Sequence, residues 1–463
     1  MKNLNLSHEE ELLILCARLS LSEAEKARLA WLVQRETLVW QTLLESAASQ
    51  RLGGFLFWHL HHPEFRDLVP AWVLAHLQRN YLQNGFKNQR LKSELGRVLR
   101  IMESEDIPVI ALKGAALLET VYPNEFLRPM ADNDLLVPED LAEKAQTRVC
   151  ELGYTVAVTA AEEAETRENC QHLPKIVDPR GLVFFEIHSH LFNRQSPFRC
   201  DLTSFKQHAR HANIAGSDIK VLGPEHLLMH LAVHFFLDRR YRSGGALAQI
   251  CDISETVRFY QSQIDWDFFA EELETNGLKG PVHYGLFLAQ SILQAPVPPP
   301  FMERITPSKF SPDAANLFVR QRVFSNERVL ASQWVAPGKA YNLPNILLGI
   351  LGRVFSRGAL QDKTNQPASP PMGKSPAWRY LCRLGDGVSL LTHYLRRPRQ
   401  LWREIMTDRW IHSIMTQGGM AQSGLTGAGT PTSGGADQSS LDSSANSRPA
   451  SASNLPNNVH GSR

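Results

Sequence analysis

Ile107-Pro-Val-Ile-Ala-Leu-Lys-Gly-Ala-Ala-Leu-Leu-Glu119, followed by Arg128-Pro-Met-Ala-Asp-Asn-Asp-Leu-Leu-Val137, is the part of the sequence that decides the fold. An apolar run ends at Lys113-Gly114 and gives way to Ala115-Ala116-Leu117-Leu118, so a strand hands over to a helix. At such a junction Gly114 lets backbone approach a ligand, and the free N–H groups of the new helix, with Lys113, favour an anion such as phosphate. Asp132 and Asp134 stand at the mouth of the next strand, where two-residue spacing puts both carboxylates on one face. Two hard oxygen ligands side by side suit Mg²⁺, since an ionised pair this close repels itself unless a cation sits between them. Two solvated turn aspartates would give the same spacing.

Further along, Leu182-Val-Phe-Phe-Glu-Ile-His188 alternates as a strand. Glu186 and His188 share a face with Phe184, while Val183, Phe185 and Ile187 take the other. A carboxylate inside an apolar strand is costly without a partner, and the aspartate site could supply one. An edge strand with Glu186 turned to water is the other reading.

Around this centre the 463 residues divide by pattern. Residues 1–104 read as a helical N-terminal region, with Leu91, Leu95, Val98 and Met102 at helical spacing and breaks at Gly53-Gly54, Pro63 and Pro70. Residues 105–222 form the α/β part. Its strands are read at Val109–Leu112, Leu135–Val137, Tyr154–Val158, Lys175–Val177, Leu182–His188 and Ile219–Leu222, with a helix over Glu139–Leu152. Residues 223–330 are helical again, opening at Pro224 and running past Leu293 to stop near Pro296, Pro298, Pro299 and Pro300. Residues 331–416 hold a polar, proline-rich linker and a C-terminal helical region. Residues 417–463 collapse to Gly, Ser, Ala, Asn, Thr and Pro, and are expected to be a disordered tail.

With 49 Lys and Arg against 47 Asp and Glu the net charge is only +2, which argues against a polyanion-coating protein. The six cysteines are scattered without a Cys-x-x-Cys pair, so neither a disulfide scaffold nor a four-cysteine zinc site is expected. Glu9, Glu10 and Glu11 precede the first apolar run, where a secretory signal needs a basic start. Leu343 to Phe355, interrupted by Asn345, Gly349, Gly352 and Arg353, falls short of the ~20 apolar residues that span a bilayer. No transmembrane segment and a cytoplasmic location are therefore expected.

Taken together, Leu112-Lys113-Gly114, Tyr122-Pro123, Arg128, Asp132-Asn133-Asp134-Leu135-Leu136-Val137, Leu152-Gly153-Tyr154 and Phe185-Glu186-Ile187-His188 resemble the nucleotidyltransferase superfamily of the polymerase-β type. More closely, they resemble a bacterial nucleotidyltransferase-like family with Lys-Gly, Asp-x-Asp and Glu-x-His motifs, over about Ala30 to Phe259. The resemblance implies an α+β fold: a mixed sheet with flanking helices, and helical regions to either side. It implies Asp132, Asp134 and Glu186 as catalytic metal ligands for Mg²⁺ or Mn²⁺. Lys113, Gly114, Arg128 and His188 would bind the nucleoside triphosphate. The implied reaction moves a nucleoside monophosphate from the triphosphate to an unidentified acceptor, whether small molecule, protein or tRNA. Ala115 follows Gly114 where the superfamily has Ser or Gly, and the gap from turn to Asp-Asn-Asp is long. A catalytically degenerate module that binds nucleotide or a partner protein is therefore the alternative.

Two patterns lie outside this set. His226, His230 and His234 are four apart and share a helical face, consistent with helix packing, substrate contact or a metal, with Asp252 placed to orient one of them. Arg79, Lys87, Arg90, Lys92, Arg97 and Arg100, and later Arg379 to Arg403, make basic faces that suit plain solvation or a phosphate-bearing surface.

Overall fold

In the computed structural model the described residues are 6–324, apart from 158–165, 167–169, 194–197, 199, 201, 240–243 and 309, together with 405 and 406. The chain divides into two units, 1–420 and 421–463. The expected tail over 417–463, the basic stretch from Arg379 and nearly all of 331–416 lie outside the described residues.

Five helices open the chain: α1 (His8–Cys16), α2 (Glu23–Val33), α3 (Trp40–Gln50), α4 (Gly53–Leu60) and α5 (Ala71–Ser104). The acidic start of α1 is a helix signal. The Ser7 hydroxyl accepts from the Glu10 N–H, and the Glu10 carboxylate accepts from the Ser7 N–H, closing a capping box that Ser22 and Glu25 repeat at α2. Helix α5, about 50 Å long at the usual rise, buries Leu91, Leu95, Val98, Leu99 and Met102 against the sheet.

The sheet has seven strands among the described residues: β1 (Ile110–Ala111), β2 (Asn133–Leu136), β3 (Thr155–Val156), β4 (Ile176–Val177), β5 (Phe184–His188), β6 (Arg210–Ile214) and β7 (Ser217–Val221). Their order is β3-β4-β5-β2-β1-β7-β6. β2 runs parallel to β5 and β1 parallel to β7, and the remaining pairs are antiparallel, so the sheet is mixed. Helices α6 (Lys113–Thr120), α7 (Ala142–Glu151) and α8 (Leu202–Gln207) are interspersed. Fold and sequence thus agree on an α+β architecture.

Three local expectations change. Strand β6 escapes the sequence reading because Arg210, His211 and Asn213 break the apolar alternation. It is fixed instead by a two-residue turn, Ala215-Gly216, both at positive φ, joining it to β7. The helix expected from Glu139 begins as a single 3₁₀ turn, Glu139–Leu141, before α7. The proline run does not end the helical region: after α9 (Pro224–Arg239), α10 (Ala246–Phe259), α11 (Trp266–Thr275) and α12 (Lys279–Leu293), Pro299 opens α13 (Pro299–Ile305) from a first-turn position. Helix α14 (Pro312–Phe318) follows.

The two sheet faces bury separate cores. Ala111, Leu135, Val137, Phe185 and Ile187 join the C-terminal half of α5 and α7. Ile110, Leu112 and Leu136 join one continuous core with α1–α4 and α9–α14. Asp134 shares the Leu136 face by strand alternation, so its carboxylate is turned toward the helical side.

That side is closed by the arm 124–131, which crosses from α6 to β2. Asn88 of α5, 2% exposed, clamps it: Nδ2 donates to the carbonyls of Glu125 at 2.6 Å and Arg128 at 2.7 Å, and Oδ1 accepts from the Met130 N–H at 3.2 Å. Gly54 lies beneath the same arm. A Cβ there would press on the Leu127 carbonyl oxygen and come within 2.8 Å of that of Phe126. Gly54→Ala is therefore expected to cost about 1–3 kcal/mol by overpacking against backbone, read as a lower urea midpoint at unchanged m-value.

His283 of α12 gives the fold an acid sensitivity. It is 2% exposed, its Nδ1 has no partner among the described residues, and burial pushes its pKa from 6.5 down to about 4. As pH falls the unfolded chain takes this proton first, so the stability it supports is full above pH 6.5 and is lost between 6.5 and about 4. The loss through this residue is up to roughly 3 kcal/mol. Urea midpoints at pH 7 and pH 5 should differ less in His283→Leu than in the wild type.

Candidate functional site

Parallel pairing of β2 and β5 sets Asn133 opposite Phe185, Asp134 opposite Glu186 and Leu136 opposite His188. Asn133, between the two aspartates, points the other way and donates to the Leu91 carbonyl of α5 at 3.2 Å, which anchors the strand. Asp134, Glu186 and His188 consequently converge: an Oδ1 of Asp134, an Oε of Glu186 and a ring nitrogen of His188 lie within 4.8 Å of one another. This is the one such cluster of potential metal ligands among the described residues. His188 Nε2 is 2.9 Å from Asp134 Oδ1 and 3.4 Å from Glu186 Oε2.

Two lysines reach into the carboxylates. Lys113 Nζ lies 2.9 Å from Asp134 Oδ1. Lys175 Nζ bridges Asp132 Oδ2 at 2.7 Å and Glu186 Oε1 at 2.8 Å. The electrostatics follow from these contacts. Burial pushes Asp134 up, but Lys113 and the His188 hydrogen bond outweigh it and hold its pKa down at about 2. Glu186 behaves alike: burial is overcome by His188, His172, Lys113 and Lys175, and it titrates well below the carboxylate range. Asp132 goes the other way, raised by burial and by the negative charges of Asp134 and Glu186, against which Lys175 pulls. His188 is lowered by burial and raised more by Asp134 and Glu186, so it retains a proton to higher pH than a free imidazole.

Lys113 adopts φ of +44° at the strand-to-helix junction, a conformation costing about 1–3 kcal/mol for a residue with a Cβ. Strain of this kind concentrates where a side chain must be aimed, and here it accompanies the Lys113 contact with Asp134. Gly114 follows directly at the same junction. The group approaching it most closely is the Arg128 guanidinium, 2.8 Å from where a Cβ would stand, with Met130 Cγ at 2.9 Å. Arg128 itself is held in a buried fork, Nε and Nη2 each 2.8 Å from the two Asp252 oxygens, and Tyr122 donates to Asp252 Oδ1 at 2.6 Å. Asp252 accordingly serves Arg128 and not the histidines of α9.

Those histidines part company. His226 Nε2 meets Glu272 Oε2 at 3.0 Å, away from the carboxylates. His230 is fully buried, with neither ring nitrogen hydrogen-bonded among the described residues. Burial first, then the charges of Lys113, His234 and His188, press its pKa well below normal. Its ring is 6.3 Å from that of His234.

The sequence reading passed over Lys175, His172 and Asn88. Lys175 had a signal. The turn at Asp178–Gly181 makes β4 and β5 a hairpin with Ile176 opposite Phe185, and the next step outward sets Lys175 against Glu186. His172, with Nε2 3.8 Å from Glu186, arrives by an isolated bridge to His188 that no local pattern announces.

No curated protein matches the chain. Among solved structures it is similar to the crystal structure of an antigenic nucleotidyltransferase-like protein from Paracoccidioides brasiliensis, at 19% identity and a TM-score of 0.25, covering 44% of this chain and 92% of that one. The family described as "Uncharacterised nucleotidyltransferase" matches residues 36–294, more than half of the sequence, from α3 through α12 and including every carboxylate, lysine and histidine of the cluster. The chain belongs to that nucleotidyltransferase family.

Proposed function

We propose that the chain transfers a nucleoside monophosphate from a nucleoside triphosphate to an acceptor at the centre formed by Asp132, Asp134 and Glu186. The observation that carries this reading is the β2–β5 register, which brings carboxylates from two distant segments together with a histidine inside one cluster. The donor set fits a divalent cation, since two carboxylates and an imidazole converge without backbone rearrangement. When bound, Mg²⁺ or Mn²⁺ would supply charge stabilisation to the phosphate oxygens during in-line displacement. The acceptor oxygen bonds to the α-phosphorus, pyrophosphate departs, and Glu186 takes the acceptor proton. Lys113, aimed from the start of α6, neutralises triphosphate charge, and Arg128, kept rigid by Asp252, adds positive field beside Gly114. The acceptor is a small molecule, a protein or a tRNA, and steep salt dependence of binding would single out the last.

A second reading has an observation of its own. Lys113, Lys175 and His188 already face the three carboxylates, so the centre is close to neutral with its own side chains. That suits a module that binds nucleotide without transferring it. Calorimetric titration with each nucleoside triphosphate, with and without Mn²⁺, separates the two. Transfer predicts affinity that tightens with the ion and loses that dependence in Asp132→Asn/Asp134→Asn. Affinity indifferent to the ion favours the module.

Among the described residues no helix is long and apolar enough to cross a membrane.

A further inference from the structure

Beside the carboxylates, α3, α4, α5 and the arm 124–131 enclose a cleft of about 400 Å³. Pro129, Met130 and Ala131 form one wall, so the cleft ends one residue from Asp132. The opposite walls carry Arg51, Asn80, Gln83, Asn84 and Lys87, with no carboxylate in the lining. None of these five side chains has a hydrogen-bond or ion-pair partner among the described residues. That contrasts with Lys92 and Arg97 on the same helix, which pair with Glu119 and Glu94. Arg51 and Lys87 are both exposed at the rim of the cleft, and they act on each other: desolvation and the Arg51 charge lower the Lys87 pKa, against the pull of Asp132. Two unneutralised cations and three free amides lining one concave site are arranged for an anion that also carries hydrogen-bonding groups.

We propose that this cleft is the acceptor subsite and takes a phosphate-bearing acceptor, its phosphate between Arg51 and Lys87 and its polar groups on Asn80, Gln83 and Asn84. The assignment to acceptor, which rests on the transfer reading, follows from position. Lys113 meets Asp134 at the start of α6, where the proposed triphosphate would lie, whereas the cleft is lined by Ala131, the neighbour of Asp132, and none of its lining residues is Lys113 or Gly114.

Equilibrium dialysis of the full-length chain against labelled inorganic phosphate tests this, with and without saturating Mg²⁺ and the β,γ-imido analogue of ATP. Phosphate should bind in the presence of the analogue, and Arg51→Gln/Lys87→Gln should weaken it at least tenfold while leaving the fold, followed by circular dichroism, unchanged. Asp134→Asn should leave phosphate binding in place. Phosphate affinity unchanged in the Arg51→Gln/Lys87→Gln variant, or absent in the wild type, overturns the subsite. Full displacement of phosphate by the analogue assigns the cleft to the nucleotide and overturns the acceptor assignment. Binding of the analogue itself, read in the same cells, reports separately on the transfer reading.

Discussion

Asp134→Ala is expected to destabilise the chain by about 3–5 kcal/mol, the range for removing one member of a buried ion pair. Asp134 is 4% exposed and is the acceptor for both Lys113 and His188. Without it an ammonium and an imidazole are left facing each other out of water, and Lys113 is held in a strained φ with nothing to aim at. Asp134→Asn keeps an oxygen in place and should cost less. Urea denaturation of the two variants checks the ordering; an alanine variant within about 1 kcal/mol of wild type would mean that the Lys113 and His188 contacts contribute little. The same pairing has a pH signature. Because the folded pKa is depressed from 3.8 to about 2, the stability it provides is full above the ordinary carboxylate value and disappears as pH falls through about 2.

Asp252→Ala is expected to have an effect of similar size for a different reason. The side chains of Arg128 and Asp252 are 17% and 5% exposed, and two parallel hydrogen bonds join them, with the Tyr122 hydroxyl as a third donor. Removing the carboxylate strands a guanidinium and a phenol together, again about 3–5 kcal/mol. Asp252→Asn should recover part of it. Here the consequence reaches the site through the backbone: Arg128 belongs to the arm that Asn88 clamps and that ends at Asp132. Limited proteolysis should therefore cut within 124–131 faster in Asp252→Ala than in wild type. Arg128 also feels the Asp134 charge, so a double-mutant cycle over Asp134 and Asp252 should show coupling beyond additivity.

Much of the site is legible in the sequence. The strand-to-helix handover at Lys113, the two-residue spacing of Asp132 and Asp134 and the alternation around Glu186 are local patterns, and each local pattern maps directly onto a strand face. Parallel pairing of β2 with β5 is not local, since nothing in either segment names its neighbour; the resemblance implied only a mixed sheet with Glu186 as a third carboxylate. Lys175 was one inference away, through the hairpin turn. Asn88 and Asp252 were out of reach. A buried asparagine on a helix and an aspartate on another gain their roles only when the 124–131 arm is laid between them, a contact separated by about 40 residues in one case and 124 in the other. Strand β6 was missed because a polar edge strand lacks the alternation by which buried strands are recognised.

The central claim is that Asp132, Asp134 and Glu186 form a centre for nucleotidyl transfer. The most direct measurement is incubation of the full-length protein with each α-labelled nucleoside triphosphate, Mg²⁺ or Mn²⁺ and cell extract, beside a Glu186→Gln variant whose fold is verified by circular dichroism. The account predicts label on an acceptor with wild type and a loss of at least a hundredfold with Glu186→Gln. Equal labelling by both proteins, or none by wild type under conditions where it binds nucleotide, would contradict it.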